Sequence, residues 1–540
     1  MQIGANVQNS PYIITYDVGT TAIKTCLYHV DDKINLLEHA EMAYPLTVFD
    51  NGGAEQNPTD WWNAMGVTTK QILSKTSLSP DQISGISFCS QMQGLVLVDK
   101  SGTPVRPCMS YMDQRAGEQL RAGIAYGIQI AGCNIFKLLK SLYITKAVAA
   151  SVKDPVWKYK WVEQNELETF AKVYKWLDVK EYLIQQCTGE FVMTADSAFA
   201  TLLYDIRKGH LGFSKSMCRM LGVNYSHLPR IIRSTEMAGG LTSSAAEMLG
   251  LPVGTPVFGG GGDASLIGVG AGAVKENSTH IYCGTSGWVS TAVRKPMVDT
   301  NTMIAAVVGA REGYYNYFAE LETAGKCLEW VKDHLALDEI DIYIEKRNVS
   351  ETHESIYKSL YDYMTHVIKK IPAGSNGVIF TPWLHGNRCP FEDPNARGMF
   401  FNIGLDTGKT ELIRSVLEGI CYHVRWMLEA QEQKVVTSPV IRFVGGGALS
   451  PLTCQILADV LGRRIETVAH PQNVGAVGAA IVVAVGLGII ENMEQADDFI
   501  TVSCIYCPNT ENKDLYDKGF QVFKKLYLCN KKNFKIMNEL

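Results

Sequence analysis

The chain has 540 residues, of which 46% are hydrophobic and 19% charged, so it is too long for one core and too apolar for a disordered polymer, and two or more globular domains are expected. Its 50 lysines and arginines stand against 55 acidic residues, a net charge of −5 with no basic block interleaved with aromatics, which argues against a nucleic-acid partner. Residues 1–11 lack the apolar core of a secretory signal, and the apolar run 474–490 is glycine- and alanine-rich, short of a bilayer span and read as a buried helix. The 14 cysteines have no disulfide-like spacing, so a cytoplasmic protein with free thiols and no membrane contact is expected.

In chain order, residues 12–16 and 25–30 are β-rich runs on either side of Asp17-Val18-Gly19-Thr20-Thr21, which predicts a hairpin. Its turn gathers a glycine, two threonine hydroxyls and free N–H groups, a shape that accepts phosphate oxygens. Asp17 offers a hard oxygen to magnesium, usually through water, and Lys24 adds positive charge. Taken alone, these five residues read better as an ordinary polar hairpin. A helix is expected over 59–75, with Trp61, Trp62 and Met65 on its apolar side. A buried strand over 83–89 then ends in Ser90-Gln91-Met92-Gln93-Gly94, and 117–205 is largely helical, punctuated by Pro155 and Gly189.

Val257-Phe258 is a short strand that runs into Gly259-Gly260-Gly261-Gly262-Asp263-Ala264 and a helix-like pattern. His280-Ile281-Tyr282-Cys283 leads into Gly284-Thr285-Ser286-Gly287 and a second β-run from Trp288, an echo of residues 12–30 that suggests a duplicated domain beginning near 275. Helices are expected over 316–336, 351–370 and 409–433, and strands over 378–381 and 441–444. The last strand meets Gly445-Gly446-Gly447-Ala448 ahead of a helix over 451–461, an arrangement that presents backbone N–H groups to an anion or a flat nucleotide. Cys504 and Cys507 lack the second pair of a zinc site and the strand–helix context of a redox motif. From Asp514 onward Tyr516, Phe520, Phe523 and Leu526 recur at helical spacing, which fits a solvated amphipathic helix better than a basic tail.

Three glycine-bearing turns, each after a β-run, suggest a nucleotide clamped between two related domains, without a Walker loop or a Rossmann fingerprint. Phosphoryl transfer needs phosphates and metal held in place and a carboxylate to take the acceptor hydroxyl's proton, and Asp263 is the candidate base. The competing reading of Asp263 is a helix N-cap.

In this order the motifs resemble the FGGY carbohydrate kinase family, of the hexokinase–actin–chaperone ATPase fold, over about residues 12–500. The resemblance is carried by Asp17-Val18-Gly19-Thr20-Thr21 with Lys24, Gln91-Met92-Gln93-Gly94-Leu95, Asp113-Gln114-Arg115 and Lys158-Tyr159-Lys160-Trp161-Val162. It continues in Gly261-Gly262-Asp263, Gly284-Thr285-Ser286-Gly287, Ala396-Arg397-Gly398-Met399-Phe400-Phe401 with Leu412 and Leu417-Glu418-Gly419, and Gly445-Gly446-Gly447-Ala448. It implies an α/β fold of two duplicated ribonuclease-H-like domains with a central cleft, over 1–274 and 275–540, with ATP and magnesium as cofactors. It implies magnesium at Asp17, phosphates at Gly19, Thr20, Thr21, Lys24, Gly284 and Thr285, and adenosine against Gly446, Gly447 and Ala448. Met92, Gln93, Asp113 and Asp263 would touch the sugar, and Asp263 would deprotonate its hydroxyl.

The nearest look within the family is to its xylulokinases, which implies ATP-dependent phosphorylation of a ketopentose such as xylulose. Three residues depart from that pattern: Gln93 stands where histidine is usual, Ala264 where asparagine is usual, and Asn402 where the second signature has glycine. Ala264 cannot hydrogen-bond a sugar hydroxyl, so ribulose, another ketose, a polyol or an aldonate stays open as substrate. A non-catalytic ATP- and sugar-binding sensor of the same fold is the alternative class, disfavoured because Asp17 and Asp263 are both present. A homodimer is compatible with this reading.

Overall fold

The computed structural model describes residues 11–335 and 362–539. The chain separates into two units, the first holding residues up to Gly270 with Val307–Tyr315 and Gly475–Phe499, the second Ala271–Ala306, Asn316–Val474 and Ile500–Leu540.

The first unit is built on a sheet whose central strand is β1 (Tyr12–Val18). Strands β2 (Ala22–Val30) and β3 (Ile34–Ala43) continue it as an antiparallel meander. Helix α1 (Pro58–Lys75) then crosses over to β4 (Ile83–Ser90), which lies parallel to β1 on its other side. Beyond a helix-rich insertion that includes α2 (Pro155–Asn165) and α3 (Val179–Thr188), β5 (Met237–Gly240) and β6 (Pro256–Phe258) complete the order β5-β6-β4-β1-β2-β3. The two-residue β7 (Gly261–Gly262) also pairs with β4 and opens directly into α4 (Asp263–Gly270).

Both faces of this sheet are covered, which is why β1 and β4 read as almost continuous apolar runs. On one face α1, capped by Asn57 and begun by Pro58, packs Trp61, Met65 and Ile72 against Ile14, Tyr16 and Val18. Two buried hydroxyl pairs fix the contact: Tyr16 Oη to Thr69 Oγ1 at 2.9 Å and Thr25 Oγ1 to Thr68 Oγ1 at 2.7 Å. Trp62 is only partly buried and packs at the edge of that core. The other face takes the apolar helix Val474–Gly486, whose Val483 comes close to Gly85 of β4. This is the buried helix expected from composition, and its lack of any polar face follows from burial all round.

The second unit repeats the plan. Strands β8 (Thr279–Cys283) and β9 (Gly287–Val293) form an antiparallel hairpin. After β10 (Val298–Asp299), β11 (Ile304–Val308) and β12 (Tyr315–Leu321), strands β13 (Val440–Val444) and β14 (Arg464–Val468) add in parallel on the far side of β8, and β15 (Val502–Tyr506) closes the edge. Its order is β10-β11-β12-β9-β8-β13-β14-β15. The core order β12-β9-β8-β13-β14 matches β3-β2-β1-β4-β6 of the first unit, so the sequence echo between residues 12–30 and 279–293 is an echo of topology.

Two expected helices shift. Residues 316–321 are strand, not helix, because Tyr317, Ala319 and Leu321 point inward at period two, and α5 (Gly325–Leu335) starts only afterwards. Of the helix expected over 351–370, residues 351–361 lie outside the described part, and 362–368 are helical. The remaining long helices stand near their expected bounds as α6 (Lys409–Glu432), α7 (Pro451–Leu461) and α8 (Lys513–Asn538). Helix α8 buries Tyr516, Phe520, Phe523 and Leu526, and Tyr516 Oη donates to Glu418 of α6 at 3.0 Å. The cysteines are free thiols, and among the described residues no helix is long and apolar enough to cross a membrane.

Candidate functional site

Parallel register brings three chain segments to one edge of the first sheet. Asp17 of β1 and Gly261 of β7 both stand opposite Cys89 of β4, and Gly262 stands opposite Ser90. Their loops therefore leave at the carboxyl ends of adjacent strands, where open α/β sheets receive ligands. Asp17 and Gly261 are two strand spacings apart, about 10 Å.

Burial raises the Asp17 carboxyl above its usual range, while Lys24, its cross-strand partner, and the Cys89 thiol pull it back. The Cys89 thiol is itself pushed up by burial and then by Asp17, Asp263 and Asp196. A carboxyl whose charged form is penalised by burial gains most from a nearby cation. Magnesium asks for one or two carboxylates and keeps several waters, so Asp17 fits a hydrated ion, not an all-protein cage. Sequence reasoning missed Gly475: a Cβ there would lie 3.0 Å from Asp17 Oδ2 and 2.8 Å from Cys89 Sγ.

The Gly19-Thr20-Thr21 turn has its carbonyls pulled into the protein. Tyr44 Oη donates to the oxygens of Gly19 at 2.6 Å and Ala22 at 2.9 Å, Gln56 Nε2 donates to Thr20 O at 2.7 Å, and Tyr44 N donates to Thr21 O at 2.9 Å. Gly19 N also closes the turn on Ala22 O at 2.9 Å, while Thr21 is exposed and, among the described residues, Thr20 Oγ1 reaches Tyr111 Oη at 3.4 Å. Gly19 is needed for space, because a Cβ would come 3.2 Å from Ala22 O.

The second loop is fixed through its backbone. Gln91 N donates to Val18 O at 2.9 Å, and the Gln91 side chain bonds Gln56 while leaving its own Oε1 buried without a partner. Gln93 takes a left-handed φ of 64°, and Asp178 accepts its N–H and that of Gly94, each at 2.8 Å. Lys158 Nζ donates to Gln93 O at 2.6 Å. Met92 lies directly over Gly262, where a Cβ would meet its Sδ at 2.1 Å. The glycine run Gly259-Gly260-Gly261-Gly262 leads into Asp263. In the structure it makes room for the protein itself: Gly260, at φ 68°, would drive a Cβ to 2.2 Å from Phe88 O.

Asp263 is the first residue of α4, partly exposed, and its Oδ1 accepts the N–H of Ala264 at 2.7 Å. The carboxylate is thus held at the helix start by the adjacent amide, from inside the helix and not from the N-cap position, and sits at the strand-end edge. Ala264 beside it is also partly exposed. Asp113 is placed differently from a sugar contact. It is fully enclosed, its oxygens accepting from Ala54 N at 2.9 Å and from the Arg115 backbone and guanidinium at 2.7–3.3 Å. Arg115 in turn binds Glu55 and lies 4.5 Å over Trp161. Asn402 has φ 68° and donates to Gly377 O at 3.1 Å, so asparagine supplies there the left-handed turn that glycine would.

In the second unit, Cys283 joins the other two glycine turns. A Cβ on Gly445, whose φ is 90°, would fall 2.5 Å from Cys283 O, and one on Gly447 would fall 2.9 Å from Cys283 Cβ. The Gly284-Thr285 turn and the 445–448 turn are therefore in contact, and neither carries a charged side chain. The first amides of α5 consume the turn's carbonyls: Gly325 N donates to Gly284 O at 2.8 Å, and Lys326 N to Thr285 O at 3.2 Å. Ala448 N closes the second turn on Gly445 O at 3.1 Å, and Ser450 caps α7. Small uncharged residues with inward carbonyls suit an anion and a flat ring.

Lys158, Asp178, Asp196, Tyr44 and Gln56 were not singled out as site residues by sequence reasoning. Asp178-Val179-Lys180-Glu181 carries only a helix-start signature.

Comparison with known proteins gives a consistent result. Residues 12–270 match the N-terminal domain, and residues 280–487 the C-terminal domain, of the FGGY family of carbohydrate kinases. The xylulose kinase of Staphylococcus epidermidis is 28% identical over 517 residues, covering 95% of this chain and 96% of its own. The gluconokinase of Bacillus subtilis is 27% identical over 520 residues, covering 95% of each. In fold, the structure of a ligand-bound xylulose kinase from Lactobacillus acidophilus agrees with a TM-score of 0.82 at 23% identity, over 98% of this chain and 100% of that one.

Proposed function

The chain belongs to the FGGY family of carbohydrate kinases and is a sugar kinase, and we propose that it moves the terminal phosphoryl group of ATP onto a hydroxyl of a ketopentose such as xylulose. The observation that carries this reading is the strand-end edge of the first unit, where Asp263 follows a turn covered by Met92 and Asp17 stands two strands away. Asp263 takes the proton of the attacking hydroxyl, Met92 floors the sugar and Gln93 reads it. In the first unit Thr20, Thr21 and Lys24 are the phosphate-holding residues of this reading, and in the second Gly284 and Thr285 hold phosphate oxygens and Gly446, Gly447 and Ala448 lie along adenosine. Asp17 would hold magnesium through water, and that ion supplies charge neutralisation on the phosphates when bound.

Gluconate is the second reading, favoured by the gluconokinase relative. Against it, two cations that reach these loops are already committed: Lys158 to the carbonyls of Gln93 and Ser110, and Arg115 to Asp113 and Glu55. A carboxylate substrate gains from an uncommitted arginine or lysine, and a neutral ketose does not need one. An ADP-release assay over pentuloses, hexuloses, polyols and aldonates separates the readings, with xylulose expected to give the highest kcat/KM. Asp263→Ala should lower turnover by about 10²–10⁴-fold with ATP binding preserved; retained turnover removes Asp263 as the base.

A further inference from the structure

Five ionisable side chains lie buried beneath the Met92–Gln93 loop and the turn that carries Asp263. Lys158, Lys180 and Glu181 are 0% exposed, Asp196 is 1% and Asp178 is 4% exposed. None of them enters the chemistry above, and burying charge is costly unless its partners are supplied. Asp178, Lys158 and Asp196 find partners on backbone groups of the two loops, and Lys180 and Glu181 pair with each other beneath them.

The chain of contacts starts at the first turn of α3. Asp178 caps that helix through Val179 N at 2.8 Å and uses both oxygens on the sugar loop, Oδ2 for Gln93 N and Oδ1 for Gly94 N. Lys158 holds the carbonyl between those two amides. Gln93 carries a side chain at a φ of 64°, a conformation that persists only when its surroundings impose it. Within the same turn of α3, Lys180 spends its three ammonium donors on Glu181, Thr194 Oγ1 at 2.6 Å and Ser197 Oγ at 2.8 Å. The Thr194 hydroxyl then donates to Asp196 Oδ1 at 2.5 Å, and Asp196 Oδ2 accepts Gly262 N at 2.8 Å.

We propose, on the reading of Met92 and Gln93 as the sugar loop and Asp263 as the base, that the start of α3 positions both: Asp178 sets the sugar loop, and Lys180 through Thr194 and Asp196 sets the turn before Asp263. One rigid element thereby fixes acceptor and base in one frame. Asp178 and Asp196 are positioning residues, and their chemistry predicts different tolerances. Asp178 faces three backbone N–H donors, Gln93 on Oδ2 and Gly94 and Val179 on Oδ1, so asparagine must turn an NH₂ group onto at least one of them. Asp196 faces one backbone N–H and one hydroxyl that can rotate, so asparagine can keep Gly262 on its oxygen and give its NH₂ to Thr194. Burial, and next Glu181, push the Asp178 carboxyl up, against the Val179 amide, Lys180 and Lys158, which favour its ionised form.

The test compares Asp178→Asn, Asp196→Ala and Asp196→Asn by two readouts. Hydrogen exchange in the apoprotein needs no knowledge of the sugar: Asp178→Asn should speed exchange at Gln93 and Gly94 with Gly262 unchanged, and Asp196→Ala should do the reverse. In kinetics with D-xylulose and D-gluconate as probes, Asp178→Asn should raise sugar KM about 10–100-fold with ATP KM within about twofold. Asp196→Ala should lower kcat by a similar factor, and Asp196→Asn should recover most of it. Equal loss of kcat and KM in Asp178→Asn and Asp196→Ala, or exchange that rises everywhere with melting temperature, overturns the proposal and leaves these residues as general core. Retained turnover in Asp263→Ala would instead sink the base assignment, while exchange at Gly262 still decides what Asp196 holds.

Discussion

Gly475→Ala is the sharpest probe of the strand-end edge, because one methyl group meets both Asp17 and Cys89. A Cβ at 475 lies 2.8 Å from Cys89 Sγ and 3.0 Å from Asp17 Oδ2, where unstrained contacts sit at about 3.5–4.0 Å. Roughly 0.5–1 Å of relief is needed. The backbones have little to give, since β1 and β4 are interior strands and the helix Val474–Gly486 is buried. The Asp17 side chain is the group free to turn. Overpacking of this kind costs about 1–3 kcal/mol of stability. Displacing a positioned group by about 1 Å costs on the order of 10² in rate. Thermal melts, kcat and the magnesium concentration for half-maximal rate read the three consequences. We expect Gly475→Ala to lose about 1–3 kcal/mol and about 10²-fold in kcat, with a raised magnesium midpoint. Adding Cys89→Ala removes the nearer obstacle and should restore at least part of both. Wild-type kcat and magnesium midpoint in Gly475→Ala would refute the role given to Asp17, and a loss of stability alone would make the contact mere packing.

Two further outcomes follow from geometry and burial. Gly262→Ala puts its methyl onto Met92 Sδ, at 2.1 Å, and methionine is flexible enough to move away. Sugar KM should rise about tenfold with the fold intact, and the double variant with Met92→Ala should be clearly less than additive; additive effects would mean that Met92 does not touch the sugar. In the second unit, His280 and His423 are buried, accept the indole N–H groups of Trp288 and Trp383, and are held down to about 4. The folded state then binds fewer protons than the unfolded state between pH 6.5 and 4, so stability falls as pH drops through that window. The loss approaches about 3 kcal/mol per histidine, and acid melts of His423→Gln should show a shallower slope than wild type; equal slopes would contradict the buried neutral state.

Most of the architecture was legible because its signals are local. β-rich runs, the apolar side of Trp61, Trp62 and Met65, and the glycine turns mark the hairpins, α1 and the strand ends within a few residues of where they lie. The 316–321 strand was misread because Tyr317, Ala319 and Leu321 abut the apolar residues of α5, and a short alternating run beside a helix blurs into it. The site was legible only in part, for a different reason. Asp17, Met92 and Asp263 sit in turns with glycine, and glycine is visible in a sequence. Asp178, Asp196 and Gly475 act through contacts across 66 to more than 380 positions, formed only when the sheet assembles. Asp113 shows the converse: the family resemblance implied a sugar contact there, and in the structure the buried aspartate is bonded by the Arg115 guanidinium.

The duplicated topology also explains why the two halves carry such different residues at equivalent places. In the first unit the hairpin end and the neighbouring parallel strands bring out Asp17, Lys24 and Asp263. In the second, the equivalent hairpin end brings out Gly284 and Thr285, and β13, the counterpart of β4, leads into Gly445 to Ala448, with no charge among them. A carboxylate beside a bound phosphate repels it unless a cation intervenes, whereas proton abstraction and metal binding both require one. Duplication supplied two copies of a strand-end edge. On the proposed function the chemistry divides them, the first edge holding acids for the hydroxyl and the metal, the second carrying no charged side chain on the turns assigned to the nucleotide. On that argument Thr285→Asp should abolish ATP use in a filter-binding assay while leaving the exchange pattern of the first unit unchanged, and an aspartate tolerated at 285 would show that this edge holds no phosphate.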